Sequence, residues 1–287
     1  MEYALEVKNL TKEYKDFAVK DISLKIPRGS VVGLIGENGA GKSTFINSIL
    51  NIVKPNEGEI TILGKDLYTY EKEIKEEIAV IFDRSHYNEN FKPSFVGKML
   101  SKIYKNWDNE KFYDLLKDFN IPVDKKIKQF SKGMKMKFEF ACALSHSPKF
   151  LILDESTSGL DPVFRDEILE ILRDFTMEEE HSILMSSHIT SDLDKIADYI
   201  AFIHDGKMQF IKTYEDIHDN YGVISCKKEF LENLSKEDIV AYKKETFGYK
   251  VLIKNRMEIM KVYKDLIIEN ASIEDVMLFY IRGEKAA

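Results

Sequence analysis

The sequence contains few cysteines and no long apolar segment. Only Cys142 and Cys226 are present, and neither belongs to a CxxC or Cys/His spacing that would hold a metal. We expect both thiols to be reduced, as in a cytosolic protein. No apolar stretch approaches the roughly 18 residues of a membrane-spanning helix, and residues 1–7 carry charges where a signal peptide has an apolar core. We therefore expect a chain that neither spans a membrane nor is exported.

The sequence also lacks an excess of basic residues. Its 42 Lys and Arg against 49 Asp and Glu give the 287 residues a formal net charge of −7. Such a balance creates no global field that would attract nucleic acid or an anionic membrane, so we expect no nucleic-acid partner. Hydrophobic residues make up 44% of the chain, which is typical of folded domains and excludes general disorder.

Hydrophobic patterning predicts the fold class. Strand-like runs alternate with helix-like periods over most of the chain, which indicates an α/β fold with a mainly parallel sheet. Short alternating or β-branched runs near the start predict an antiparallel sub-sheet from residues 3–8, 18–26 and 59–63. Compact apolar runs suit strands buried on both faces and predict the core sheet from residues 31–35, 78–82, 150–153, 182–185 and 199–203.

Two interruptions divide this pattern. The segment from Pro93 to Pro122 is helical in period, and we expect a helical insertion over about residues 93–145. Asp205 and Gly206 predict a tight hairpin, followed by a polar crossing over residues 214–221 where we place a domain boundary.

The segment beyond this crossing has its own apolar periodicity. Residues 1–213 form the predicted main domain, and residues 222–287 form a small α+β domain. Its expected elements are strands at residues 239–244 and 249–253 and a final helix that begins at Ser272, with Asp275 at the capping-box spacing. Because it carries no chemical motif, we interpret it as dimer-stabilising or regulatory.

A phosphate-binding motif follows the strand at residues 31–35. The segment from Gly36 to Ser43 matches GxxxxGK[ST] and precedes a helical pattern, which is the context this motif requires. Its backbone N–H groups would curl around phosphates at a helix N-terminus. Lys42 would bridge the β- and γ-phosphates of a nucleotide, and Ser43 would bind Mg²⁺. The predicted nucleotide-binding residues are Gly36, Asn38, Gly39, Ala40, Gly41, Lys42, Ser43 and Thr44.

Paired carboxylates end the apolar run at residues 150–153. Asp154 would help to hold Mg²⁺, and Glu155 would polarise the attacking water. Acidic residues at strand ends are common, so this pair alone is ambiguous. Its place after the phosphate loop favours the catalytic interpretation.

Three further motifs occur in a characteristic order. Residues 130–134, Phe-Ser-Lys-Gly-Met, precede that strand, residues 158–161, Ser-Gly-Leu-Asp, follow it, and Ser187-His188 follows the next strand. With the phosphate loop, this combination resembles the ATP-binding cassette (ABC) ATPases over residues 1–211, whose signature, D-loop and H-loop have this order. The resemblance implies a P-loop NTPase (RecA-like) core and ATP with Mg²⁺ as cofactors.

The resemblance also implies roles in a head-to-tail dimer. Ser131 and Gly133 would contact the γ-phosphate bound to the other subunit, and Asp161 would organise the interface. His188 would contact the γ-phosphate, so Lys42, Glu155 and His188 form the expected catalytic set. Ser131 and Asp161 also suit ordinary helix N-caps.

Tyr14 lies where the family places an aromatic residue that stacks on adenine. A partly buried turn tyrosine is the alternative interpretation of this side chain.

Two motifs depart from the family pattern. Asp83 stands where the family usually has a Mg²⁺-binding glutamine, so metal binding is plausible but the coupling geometry is altered. In the signature, Lys132 replaces a glycine and Met134 a glutamine. These departures resemble the ATPase subunits of bacterial two-component exporters, including those for phenol-soluble modulins and antimicrobial peptides.

The expected function is therefore an ATP-hydrolysing subunit of an ABC exporter. It would need a separate transmembrane permease and a second ATPase subunit, identical or different, and would lie in the cytoplasm on the inner face of the membrane. One alternative is a soluble ABC-type ATPase acting on nucleic acid or ribosomes, which the single phosphate loop and acidic charge disfavour. The other is a nucleotide-gated regulatory module with negligible turnover.

Overall fold

The protein, described by a computed structural model over residues 3–178 and 180–285, contains three sheets and the helices around them. The outermost residues of the predicted domains, 1, 2, 286 and 287, lie outside the described residues. The strands are β1 Tyr3–Glu13, β2 Ala18–Pro27, β3 Val31–Ile35, β4 Glu57–Ile62, β5 Lys65–Asp66, β6 Ile78–Phe82, β7 Phe150–Asp154, β8 Ser182–Ser186, β9 Tyr199–His204, β10 Lys207–Thr213, β11 Gly222–Cys226, β12 Ile239–Glu245, β13 Gly248–Ile253 and β14 Glu269–Asn270. The helices are α1 Lys42–Ile49, α2 Glu71–Glu77, α3 Pro93–Leu100, α4 Asn109–Asp118, α5 Lys132–Leu144, α6 Pro162–Thr176, α7 Thr190–Ile196, α8 Tyr214–Asn220, α9 Lys228–Asn233, α10 Arg256–Val262 and α11 Ile273–Arg282.

The central sheet has six strands in the order β10-β9-β3-β8-β7-β6, and it is parallel except for the β9–β10 hairpin. Its inner strands are apolar because both faces are covered; all five residues of β3 and of β8 are buried. A separate antiparallel sheet, β2-β1-β4-β5, lies at the N-terminal side of the chain. The predicted α/β class with an antiparallel sub-sheet is confirmed.

Three helices, α3, α4 and α5, lie between residues 93 and 144 and share an apolar cluster. Each begins with a recognisable signal: Pro93 at the first position of α3, the Asp108 carboxylate as N-cap of α4, and the Ser131 hydroxyl as N-cap of α5. No helix within residues 3–178 and 180–285 combines the length and the apolar character needed to cross a bilayer.

The C-terminal segment forms its own antiparallel sheet, β12-β13-β11-β14, but it shares a core with the central sheet. Phe279 of α11 is buried in the same cluster as Phe202 of β9. The ring of Tyr280 packs edge-on against Phe210, with centroids 5.0 Å apart. Residues beyond 221 therefore pack against the central sheet, while another part of this segment forms an apolar cluster of its own.

The segment from Tyr214 to Tyr221 differs from the predicted polar crossing. Residues 214–220 fold into α8 because the Thr213 hydroxyl accepts a hydrogen bond from the Asp216 N–H and caps the helix, and Ile217 is buried beneath it. The final helix begins as predicted, with Ser272 and Asp275 forming a capping box.

Helix α5 carries a buried carboxyl group on the side that faces the end of β6. Burial raises the pKa of Glu139 from 4.5 to about 7, and the nearby Ser85 side chain and His86 main chain offset only part of this effect. Its Oε1 atom has no hydrogen-bond partner among the described residues. Ionisation of this group therefore opposes folding.

The Glu139→Gln variant tests this burial. Because the pKa is higher in the folded state, wild type is most stable relative to the variant below pH 4.5 and loses stability as the pH rises through 7. Between pH 5 and pH 8 the variant should gain about 2–3 kcal/mol over wild type in urea-unfolding free energy. Glu170→Gln, on exposed helix surface, should show no such trend. Parallel pH curves for wild type and Glu139→Gln would contradict the assignment.

Phe279→Ala tests the shared core. The side chain is 3% exposed, and we expect the substitution to lower the free energy of unfolding by about 3–5 kcal/mol. Unfolding followed by the fluorescence of Trp107, the single tryptophan, should coincide with unfolding followed by circular dichroism. Phe247→Ala, at a side chain 97% exposed, is the matched control and should change stability by less than about 0.5 kcal/mol. Two separate transitions would contradict a common core.

Candidate functional site

The phosphate loop joins β3 to α1 in a conformation that requires glycine. Gly41 has φ +112° and precedes α1, in the region of backbone space that other residues rarely adopt. A Cβ atom on Gly36 would lie 2.3 Å from the main-chain oxygen of Ile203. The main-chain oxygen of Ala40 accepts a hydrogen bond from the Gly206 N–H at 3.0 Å, so the β9–β10 hairpin supports the loop from behind.

The ammonium group of Lys42 lies inside this loop. The residue is 5% exposed, and its Nζ donates to the main-chain oxygens of Gly36 at 2.7 Å and Glu37 at 3.3 Å. A carboxylate oxygen of Glu155 lies 3.3 Å from the same atom. A buried cation needs such partners, and this arrangement concentrates positive charge where phosphate oxygens would enter.

Glu155 connects Lys42 to His188. Its second carboxylate oxygen is hydrogen-bonded to Nδ1 of His188. The backbone of Glu155 has φ +53°, which is uncommon for a residue other than glycine, and its N–H donates to the main-chain oxygen of Ser186 at 3.2 Å and to its hydroxyl at 3.1 Å. Held strain of this kind is typical of functional positions.

Carboxylates at neighbouring strand ends lie beside this group. Asp154 is paired in register with Phe82 and Ser186, and the Ser186 hydroxyl donates to its Oδ1 at 2.6 Å. Asp83 follows β6 directly and forms an exposed ion pair of 3.4 Å with Arg84.

The oxygen donors at this edge suit Mg²⁺. The described residues contain no group of three or more His, Cys, Asp or Glu side chains that could hold a metal alone. Magnesium in nucleotide sites is normally held by one or two carboxylates together with phosphate oxygens and water. The Ser43 hydroxyl and the carboxylates of Asp83 and Asp154 fit that kind of site.

A cavity of about 640 Å³ brings most of the predicted residues together. Its lining consists of Phe17, Glu37, Asn38, Gly39, Gly41, Lys42, Ser43, Thr44, Asp83, Glu155, Ser158 and His188. Gly36 and Ala40 support the loop without lining the cavity, and Asp154 lies directly before Glu155. The volume and the polar lining suit a nucleotide.

The aromatic residue at this cavity is Phe17. Tyr14 is 46% exposed and, with Phe17, borders a neighbouring depression instead. The two belong to one turn, in which the Tyr14 N–H donates to the Phe17 main-chain oxygen at 2.8 Å. The Phe17 ring lies against Gly41, within 3.3 Å of an added Cβ atom. Sequence reasoning missed Phe17; its only signal is a second aromatic residue in the turn.

Ser131, Gly133 and Asp161 lie together outside this cavity. The Ser131 and Asp161 side chains cap α5 and α6 by accepting from the N–H groups of Met134 at 3.2 Å and Phe164 at 3.0 Å. An added Cβ atom on Gly133 would lie 3.3 Å from the Phe164 ring. The structure therefore separates these residues from the phosphate loop of the same chain.

Several known proteins resemble this chain in sequence. The ABC transporter family model matches residues 19–158. The chain is 33% identical over 216 residues to the ABC transporter ATP-binding protein NatA of Bacillus subtilis (strain 168), covering 71% of this chain and 85% of that protein. It is 35% identical over 214 residues to the lantibiotic transport ATP-binding protein SrtF of Streptococcus pyogenes, covering 74% and 91%. The bacitracin transport ATP-binding protein BcrA of Bacillus licheniformis is 31% identical, covering 72% and 69%.

A solved structure of the ATP-binding subunit of an ABC transporter has the same fold. It matches with a TM-score of 0.69 and 30% identity, covering 75% of this chain and 92% of that chain. Because relatives above 30% identity are matched over most of their length and the phosphate loop is intact, the chain belongs to the ABC transporter family as one of its ATP-binding ATPase subunits.

Proposed function

We propose that this ATPase binds Mg·ATP, dimerises around it and couples its hydrolysis to a separate membrane permease of an exporter. The observation that carries this proposal is the connected group of Lys42, Glu155 and His188 at one edge of a cavity bordered by the phosphate loop. Each side chain has a defined electrostatic partner, so the group is organised before nucleotide enters.

Phosphate binding would replace the hydrogen-bond acceptors of the Lys42 ammonium group. The β- and γ-phosphate oxygens replace the loop carbonyls and Glu155 as acceptors for its ammonium group. The N–H groups from Gly39 to Thr44 and the positive end of the α1 dipole favour the remaining phosphate charge. Release of Glu155 from Lys42 leaves that carboxylate available to a water molecule.

The Ser43 hydroxyl and the carboxylates of Asp83 and Asp154 would hold Mg²⁺. Bound there, the ion would supply positive charge that offsets the negative charge of the nucleotide's phosphates. The Ser186 hydroxyl orients Asp154, since it donates to one of its two oxygens.

Hydrolysis would use Glu155 to polarise the water. The water oxygen attacks the γ-phosphorus, its proton is drawn toward the Glu155 carboxylate, and the bond from phosphorus to the bridging oxygen breaks to release ADP and phosphate. His188 holds Glu155 through its second oxygen and, from the edge of the cavity, contacts the γ-phosphate.

A second ATPase subunit would complete the site. Ser131 and Gly133 are at the N-terminal turn of α5 and are absent from the lining of their own cavity, which suits contact with a γ-phosphate held by another subunit. Asp161 caps α6 beside them and would form part of the same interface. For the adenine ring we propose an aromatic contact at the turn containing Tyr14 and Phe17, worth about 1–3 kcal/mol by analogy with base stacking.

The proposal also includes a membrane partner and a class of transported substrate. The described residues provide no membrane-spanning helix, and relatives such as SrtF and BcrA are named for lantibiotic and bacitracin transport. We propose that this chain lies in the cytoplasm on the inner membrane face, bound to a permease, and drives export of amphipathic or antimicrobial peptides.

Glu155→Gln tests the hydrolytic mechanism. Loss of the water-polarising carboxylate should lower kcat by at least about 10²-fold, and retention of bound ATP should stabilise a dimer. Turnover and mass by light scattering would be measured with ATP and Mg²⁺, with and without co-expressed permease. Glu170→Gln should behave as wild type. Absence of turnover and of dimers in every preparation would contradict the proposal and favour a nucleotide-gated regulatory module.

Asp83→Ala tests the proposed metal ligand. We expect the Mg²⁺ concentration needed for half-maximal hydrolysis to rise about 10-fold, because one oxygen ligand is lost. Arg84→Ala removes the ion-pair partner of Asp83 but no ligand and should leave the Mg²⁺ dependence unchanged. An unaltered Mg²⁺ titration for Asp83→Ala would remove this residue from the metal site.

A further inference from the structure

Lys132 joins the signature segment to the loop that follows Glu155. It is the first residue of α5, and its Nζ donates to the main-chain oxygen of Ser158 at 2.6 Å. The same ammonium group would lie 2.7 Å from a Cβ atom on Gly159, so it covers the glycine directly. A glycine at position 132, as in the usual family signature, would have no side chain to make this contact.

The charge of Lys132 has no evident role in stabilising its own helix. The positive end of a helix dipole disfavours cations, and α5 has no acidic residue in its first turn. Two other lysines of this helix are paired with carboxylates, Lys135 with Glu89 and Lys137 with Glu167. Among the described residues, no carboxylate lies within ion-pairing distance of Lys132 Nζ, whose hydrogen bond goes to a carbonyl of another segment.

This contact connects two cavities. Ser158 lines the nucleotide cavity together with Glu155 and His188. Lys132 lines a neighbouring cavity of about 490 Å³ together with Glu139. Asp83 lines both cavities. The Lys132–Ser158 hydrogen bond therefore ties the wall of the nucleotide cavity to the N-terminus of the helix that carries Ser131 and Gly133.

We propose that Lys132 is a positioning residue that holds the segment from Ser158 to Asp161 against the N-terminus of α5. Residues 158–161 and the signature at residues 130–134 then move as one body. The position of Ser158 beside one nucleotide is thereby linked to the position of the signature, which contacts the nucleotide bound to the other subunit. The proposal rests on the proposed function. Because Lys132 does not line the nucleotide cavity of its own chain, we expect its removal to lower turnover and to leave nucleotide binding by that chain unchanged.

Lys132→Met tests the contact, since it keeps most of the side-chain length and removes the donor. Lys132→Arg retains a cationic donor, and Lys128→Met, at a nearby exposed lysine, controls for the change in surface charge. The first measurement is hydrogen–deuterium exchange of the peptide spanning residues 156–162 in nucleotide-free full-length protein. We expect exchange about tenfold faster in Lys132→Met, and exchange within about twofold of wild type in the other two variants.

The second measurement separates kcat from KM. Lys132→Met should lower kcat about tenfold with KM and the Kd of ATP changed less than twofold, and Lys132→Arg should restore kcat. Unchanged exchange in Lys132→Met would overturn the proposal, as would a rise in KM and Kd with kcat preserved, which indicates phosphate contact instead. If wild type itself fails to hydrolyse ATP, the proposed function fails, while the exchange measurement still decides whether Lys132 holds the segment.

Discussion

The parallel register of β3, β8 and β7 is the constraint on which the site depends. Leu34 of β3 is paired with Ser186 of β8, and Ser186 is paired with Asp154 of β7. The phosphate loop, His188 and Glu155 all begin within two residues of these positions, so their side chains meet at one edge of the sheet. A shift of one residue in any strand would turn its side chains to the opposite face and separate Glu155 from Lys42.

The ion pair of Lys42 and Glu155 also depends on the β9–β10 hairpin, which fixes the phosphate loop that carries Lys42. Gly36 lies against Ile203 of β9, and the Gly206 N–H supports Ala40, so the hairpin beyond the site fixes the loop within it. That hairpin in turn packs through Phe210 onto Tyr280 of the C-terminal helix. The C-terminal segment therefore contacts the hairpin that supports the phosphate loop. A regulatory or dimer-stabilising role, as expected of this segment, could act through these contacts.

Local signals in the sequence were sufficient for much of this structure. The five parallel strands of the central sheet are short apolar runs bounded by turns, and the helix at Ser272 has a capping box, so both could be predicted from neighbouring residues alone. Helix α8 was not predicted because its sequence is polar and has no apolar periodicity. Its single buried residue, Ile217, is covered by contacts with residues distant in the sequence. The choice between Tyr14 and Phe17 at the cavity is equally a matter of how one turn packs against Gly41, which no periodicity encodes.

Two of the departures from the family pattern, one in the signature and one after β6, have a joint electrostatic consequence. Asp83 and Lys132 replace uncharged residues of the usual pattern, and both line the same cavity, together with Arg84, Lys135, Glu89 and Glu139. The new charges are opposite in sign, so the lining keeps its formal charge balance when both are present and would lose it with either alone. The balance also depends on Glu139, because its pKa of about 7 means that this carboxyl group is only partly ionised near neutral pH. Charge in this cavity thus depends on Asp83, directly after β6, and on Lys132 and Glu139 of α5, and a change at any one alters the field experienced by the other two.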